Sequence, residues 1–458
     1  MMVERGSWVH LARDRSPRGR SRSVALALAS LGLASALSAC GGAGPEVAAT
    51  ECEPSQGEVT LSFWSWVPGI DKAVDLWNVE NPHVQVELNA VAGGNQGTYQ
   101  NLSNALKAET EPDLAQIEFD TLPSFRLQQG LRDITECLED DAGDQFIDFA
   151  WEQVTFEGTG VYAIPQDTGP MAMFYRWDLF EEYDVEVPST WAEFATVAQQ
   201  VHDQDPSVQI THFPQRDTGW FAGLASQNGA RWAEIDGDTW LVDIDDEPTD
   251  QVARYWQDLI DRDLVANMQG FSEQWNKALA DGKLLTWVSA VWGNATLESN
   301  VPTTSGKWAV APMPTWDVGA PTAANWGGST TAVLRGTDHP YEAAQFALWL
   351  NTDPDSLALL NENGGLYPAT EAGLSLPFLQ RPSEFYGGQR IFDVFADAAG
   401  KVDADFIWSP TMAQTYASLA DGFGEALGGS STLSEALSQA EEDTLTAMRL
   451  QALRVERK

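Results

Sequence analysis

Ten side chains stand where strands and loops are predicted to end, and their types fit one kind of chemistry. The aromatics are Trp64, Trp66, Trp220, Trp287, Trp292, Trp326 and Tyr367, each beside or near Gly, Ser or Pro. The acids are Glu118, Asp120 and Asp167. An indole face covers the apolar C–H face of a sugar ring, and its N–H donates a hydrogen bond. One carboxylate accepts two hydrogen bonds from neighbouring hydroxyls. Any one Trp is more readily core, because aromatics dominate cores. Seven aromatics at strand and loop ends weigh against all of them being core. A basic amino acid or a metal would also want carboxylates, so the acids alone do not select a sugar.

Other chemistries find less support. A glycosidase needs one carboxylic acid and one carboxylate at a set separation. With 67 acidic residues the chain offers candidates for any pair, so that signal is empty. GxSxG, P-loop and GxGxxG contexts are absent from the sequence. His83, His202, His212 and His339 are scattered, without an HExxH pair, so neither a metal nor a cofactor is expected. The formal net charge of -41 makes nucleic acid and anionic membrane surfaces poor partners.

The elements that must position these residues follow from length and pattern. A chain of 458 residues exceeds one ordinary core and predicts two lobes. Val59–Trp66 alternates as a strand, and Pro68-Gly69 breaks it. A helix over 70–81, a strand over 84–88, a helix over 99–108 and a strand over 114–119 follow. Strand and helix in alternation give an α/β unit with parallel strands, whose ligands bind beyond the C-terminal strand ends. Those ends are Trp64-Ser65-Trp66 and Glu118-Phe119-Asp120. Val161–Pro165 then reads as a short strand that turns through Gln166–Pro170 into the apolar run Met171–Tyr175. Pro165, Gly169 and Pro170 mark a passage between lobes. Thr190, with Glu193 at capping-box spacing, starts a helix over 191–202. A hairpin with Gly237 at its turn is expected within 230–242, and helices dominate the last ninety or so residues.

The first forty residues carry Arg5, Arg13, Arg15, Arg18, Arg20 and Arg22, then the apolar run Val24–Leu37. That run has signal-peptide length and is short for a membrane span. Leu37-Ser38-Ala39-Cys40 resembles a bacterial lipobox, which implies lipid attachment at Cys40; an ordinary secretory signal is the alternative. Residues 1–39 are then a signal peptide and 40–57 a tether. Cys52 and Cys137 remain in the exported body. An even pair in an oxidising compartment fits a disulfide, with two free thiols as the alternative.

Several stretches together resemble a known family: VTLSFWSW at 59–66, EPDLAQIEFDTLP at 111–123, YAIPQDTGPMAMFYRWDLF at 162–180, VPSTWAEF at 187–194, ADGKLLTWVSAVW at 280–292 and WGGSTTAVLRGTDHPYEAAQFALWL at 326–350. In order and spacing they are similar to the extracellular solute-binding proteins, family 1, of carbohydrate ABC importers, the maltose-binding type. The resemblance spans Val59–Leu450. It implies a two-lobed α/β periplasmic-binding-protein-like fold with a hinge and mixed sheets flanked by helices. The first lobe would be 58–165 and 306–365, the second 166–305 and 366–458. The ten residues above, with Gly327 and Gly328 in the return loop, would contact ligand. The resemblance implies a monomer that catalyses nothing and uses no cofactor. It would capture a mono- or oligosaccharide by hinge closure and deliver it to permease subunits, held at the extracytoplasmic face of the cell membrane by its lipid. The first strand is rich in Trp where the maltose-binding type has Asn, Asp and Lys, which points away from maltose itself. The other readings are a lipid-anchored secreted glycoside hydrolase and a binding protein for a non-sugar solute such as a polyol phosphate or a peptide.

Overall fold

The computed structural model describes residues 52–94, 97–156, 158 and 160–458. The expected signal peptide, Cys40 and most of the expected tether lie outside them. Twelve strands are described: β1 Val59–Ser65, β2 Val84–Ala90, β3 Leu114–Glu118, β4 Ala163–Arg176, β5 Thr211–His212, β6 Ala233–Asp236, β7 Thr239–Val242, β8 Val265–Ala266, β9 Thr286–Ala290, β10 Trp308–Pro312, β11 Asn325–Val333 and β12 Arg454–Arg457.

β1 owes its place to its alternation. Val59, Leu61, Phe63 and Ser65 are buried, and the residues between them are not. β1 pairs in parallel with β2 and β3, and the helix Asp71–Glu80 between β1 and β2 buries Ala73, Val74 and Trp77. These elements, with the helices Thr98–Ala108 and Pro340–Thr352, enclose one core around Leu61, Phe63, Ile117 and Phe346. β3 ends this unit at Glu118, so the strand ends of the parallel sheet open toward Glu118 and Asp120.

β4 organises the rest. It runs unbroken for 14 residues, which corrects the expected turn at Gln166–Pro170. Its first half, Ala163–Thr168, pairs with β11 beside the first core. Its second half pairs with β9 and β10. Gly169 and Pro170 fit inside a strand because β11 is irregular between Asn325 and Gly328, opposite them. Gly169 is required there: a Cβ would lie 2.0 Å from the Trp326 carbonyl oxygen. Beyond this crossing, side chains of β4 alternate between two further cores. Met171 and Met173 enter a large helical core with Trp191, Trp220, Trp256 and Phe423, while Ala172 and Phe174 enter a smaller one with Trp275, Trp287 and Trp308.

β10 was expected in the first lobe. It pairs instead with Ala172–Arg176 and buries Trp308 and Val310 in the smaller core. The strand that returns to the first core is β11, which pairs with both β4 and β3. Leu366 and Ala369, expected in the second lobe, also join the first core. Residues 52–57, expected as tether, are held against the first body. Cys52 is bonded to Cys137, and Ser55 N–H donates to Glu342 at 2.6 Å. The capping box at Thr190 and Glu193 and the β6–β7 hairpin, with Gly237 at positive φ, are present as read from the sequence.

Candidate functional site

A cavity of about 410 Å³ lies where β3 ends and β11 begins. Glu118 and Asp120 line it from the first core. Asn325, Trp326, Gly327 and Gly328 line it from the crossing strand. Arg216 to Gly219 enter at the start of the helix Thr218–Gln227, and Tyr416 from the helix Met412–Leu427. Trp408 closes one side.

The two carboxyls of β3 are held by local chemistry. The Tyr99 hydroxyl donates to Glu118 Oε2 at 2.8 Å and accepts from Glu118 N–H at 2.9 Å. Burial, then the nearby Asp120 charge, pushes the Glu118 carboxyl up to about 8; the Tyr99 bond opposes this shift. Glu118 and Asp120 share one buried site, so the pair holds a proton more readily than free carboxylates do. Burial also raises Asp120, against a 2.9 Å hydrogen bond from Thr121. The Tyr416 hydroxyl faces Asp120 yet has no partner in hydrogen-bond geometry. Asp217 Oδ2 is buried without a partner, and burial lifts that carboxyl to about 6. Arg216 is the cation on the lining, and it is exposed. The lining thus offers acceptors, one readily protonated carboxyl pair, hydroxyls and indole faces.

The structure brings five of the twelve expected ligand residues to this cavity: Glu118, Asp120, Trp326, Gly327 and Gly328. Trp292 stands behind Trp326. Its indole N–H donates to the Trp326 carbonyl at 3.2 Å, and the rings meet edge to face at 4.7 Å. Asp167 is turned to architecture, accepting from Ser329 N–H at 2.9 Å and from Ser329 Oγ at 2.6 Å, which ties β4 to β11. Burial still lifts it to about 6. Trp64 packs against the first core, and Trp66 meets Tyr99 edge to face at 5.9 Å. Trp220 and Trp287 are 2% and 3% exposed and belong to cores; the Trp220 N–H donates to Val288. Tyr367 is buried and stacked on Phe392. These last five do not line the cavity.

Sequence reading missed Tyr99, Arg216, Asp217, Trp408 and Tyr416. Trp408 had a signal, because it stands beside Ser409-Pro410 like the aromatics that were chosen. Tyr416 sits one residue off the buried stripe Met412, Thr415, Leu419 and Phe423, which nothing in the sequence marks as cavity-facing. Elsewhere among the described residues Asp243, Asp245 and Glu441 lie close together, but Glu441 accepts from Ile244 N–H at 2.8 Å and pairs with Arg457 at 2.6 Å. That carboxylate is already engaged within the protein.

Comparison with known proteins agrees with the fold. The family profile described as bacterial extracellular solute-binding protein matches residues 64–355. The arabinooligosaccharide-binding protein of Halalkalibacterium halodurans is 25% identical over 79% of this chain and 83% of its own length. The lactose-binding protein of Rhizobium radiobacter is 26% identical over 76% of this chain and 83% of its own. Among solved structures, the galacto-N-biose/lacto-N-biose I-binding protein of the ABC transporter from Bifidobacterium longum, in complex with lacto-N-biose, superimposes with a TM-score of 0.79. It is 26% identical and covers 88% of this chain and 100% of its own.

Proposed function

Because the chain belongs to the bacterial extracellular solute-binding proteins, we propose that it captures a sugar outside the cytoplasm for an ABC importer. The cavity at the end of β3 is the capture site. The observation that carries this reading is the composition of that cavity: Glu118 and Asp120 stand across from Trp326 and Tyr416 in one 410 Å³ space. Carboxyls and hydroxyls meet sugar hydroxyls, and indole faces meet sugar C–H faces. The similar proteins named above bind arabinooligosaccharide, lactose and lacto-N-biose, which supports the same ligand class.

The site draws residues from both sides of the β4–β11 crossing, so closing the two bodies on each other would enclose a ligand. The irregular register of β11 near Gly327 and Gly328 gives that motion a place to bend. In the cell, Cys40 would carry lipid and hold the protein near its permease, and the protein would act as a monomer with no chemical step of its own.

A glycoside hydrolase would share one feature, a buried carboxyl that holds a proton more readily than a free carboxylate does. A thermal-shift screen across neutral mono- and oligosaccharides, with product analysis of each hit, separates the two. A sugar that binds only the folded state raises the melting temperature. The expected result is a raised melting temperature with intact sugar. Cleaved sugar would replace capture with hydrolysis, and no shift with any sugar would overturn the ligand class.

A further inference from the structure

A second cavity of about 1100 Å³ adjoins the first, and Trp408 lines both. It too is built from both bodies. Trp151 comes from the helix Asp148–Thr155 of the first core, and Trp240 comes from β7, packed against the large helical core. Both rings are half-buried and border the open space. A small gap of about 20 Å³ shares Phe119, Asn325 and Trp408 with the first cavity and Gln153, Phe406 and Trp408 with the second.

The charges on this groove are one-sided. Its lining holds eight carboxylate residues and two arginines. Arg231 pairs with Asp403 at 2.8 Å. Arg126 lies over the rings of Phe156 and Tyr162 at 4.4 and 4.8 Å. Each guanidinium is engaged within the protein, and the surrounding acids would repel an anionic chain.

Volume sets the length. Ligand pockets span roughly 300–1,000 Å³. The first cavity lies near the low end and suits about two sugar rings; with the second cavity added, the space passes the upper end. We infer that the larger groove holds the outer residues of a non-acidic oligosaccharide whose first residues fill the smaller cavity, with Trp408 at the junction and Trp151 and Trp240 as stacking faces on either wall. This rests on the capture function proposed above and adds to it a length and a charge class.

Calorimetric titration tests it with arabinan and galactan fragments from disaccharide to hexasaccharide, and with oligogalacturonates of matching length. Affinity should rise at least tenfold from disaccharide to hexasaccharide, and the galacturonates should bind more weakly than neutral fragments of equal length. Trp240→Ala and, on the other wall, Trp151→Ala should each remove part of that gain and leave disaccharide binding unchanged; Trp240→Phe should restore it. Affinity that is flat with length, or galacturonates that bind as well as neutral fragments, overturns the groove while leaving sugar capture intact. Wall variants that weaken disaccharide and hexasaccharide alike also overturn it. If no fragment of any length binds, the capture function fails, and the groove with it.

Discussion

The Tyr99 hydroxyl grips Glu118 twice, accepting from its backbone N–H at 2.9 Å and donating to its Oε2 at 2.8 Å. One oxygen of the carboxyl is thereby fixed, and the other makes no hydrogen bond among the described residues. Glu118 is the last residue of β3, so one phenol sets both the strand end and the acid that faces the cavity.

Removing that hydroxyl should therefore cost both stability and affinity. Tyr99→Phe leaves a buried N–H and a buried carboxyl oxygen unpaired, a loss of about 1–3 kcal/mol. The edge-to-face packing with Trp66 should survive. Thermal melts should show a lower midpoint, and calorimetry a weaker sugar complex.

Four acids of this region, Asp120 with Asp167, Asp217 and Glu118, set a pH dependence. Burial raises Asp167 and Asp217 to about 6 and Glu118 to about 8, above their ordinary carboxylate values. Between about pH 4 and 8 these groups therefore hold more protons in the folded chain than in the unfolded one. Their contribution to stability is complete in acid and is lost as pH rises through that window. Glu193, Asp205 and Glu435 are shifted downward, so their opposite slope lies at more acid pH, and burial lowers His212 to about 3, which adds an opposite slope up to its ordinary value near 6.5. Melting temperatures of the ligand-free protein should fall from about pH 6.5, above which His212 no longer opposes the acids, to about pH 8.5. Glu118→Gln should flatten the upper part of that fall.

Two glycines have no room for a side chain at the crossing. A Cβ on Gly169 would stand 2.0 Å from the Trp326 carbonyl, and one on Gly328 would stand 2.8 Å from the Phe119 ring. Gly328 also has φ of +100°, which L side chains rarely adopt. Gly169→Ala and Gly328→Ala should lower the melting temperature by several degrees and abolish the ligand-induced shift. Gly158→Ala meets nothing within 4 Å and lies away from the crossing. It pays only for its positive φ and should keep that shift.

The Cys52–Cys137 bond closes a loop with a sequence separation of 85. The chain-entropy account gives such a loop roughly 4–5 kcal/mol. Reductant, or a Cys52→Ser, Cys137→Ser pair, should lower the melting temperature clearly. Sugar affinity should stay the same, because neither cysteine lines either cavity.

Much of this was legible in the sequence, for reasons that can be named. Glu118 and Asp120 could be found because the alternation of strand and helix from residue 59 to 119 fixes where a parallel sheet ends. Trp220, Trp287 and Tyr367 could not be told from ligand-facing rings, because a neighbouring Gly or Pro does not record which way a ring points. Trp220 settles into the core through its N–H bond to Val288. Gly169-Pro170 looked like a turn, because the irregularity in β11 that lets them continue a strand lies 156 residues away from Gly169, at Asn325. Tyr416 enters the cavity through tertiary packing of the helix Met412–Leu427, which local pattern does not carry, whereas Trp408 stands beside Ser409-Pro410 and was legible.

The most direct test is one calorimetric comparison between the wild type and Trp326→Ala, using the neutral oligosaccharide that raises the melting temperature most. Trp326 lines the cavity and is only partly buried, at the edge of the large helical core, so a melting curve of the ligand-free variant accompanies the titration to show that it is folded. Wild type should bind one sugar per chain, and the variant should bind about tenfold or more weakly, near 1.4 kcal/mol. Equal affinity in the two proteins would contradict the placement of the sugar at the end of β3.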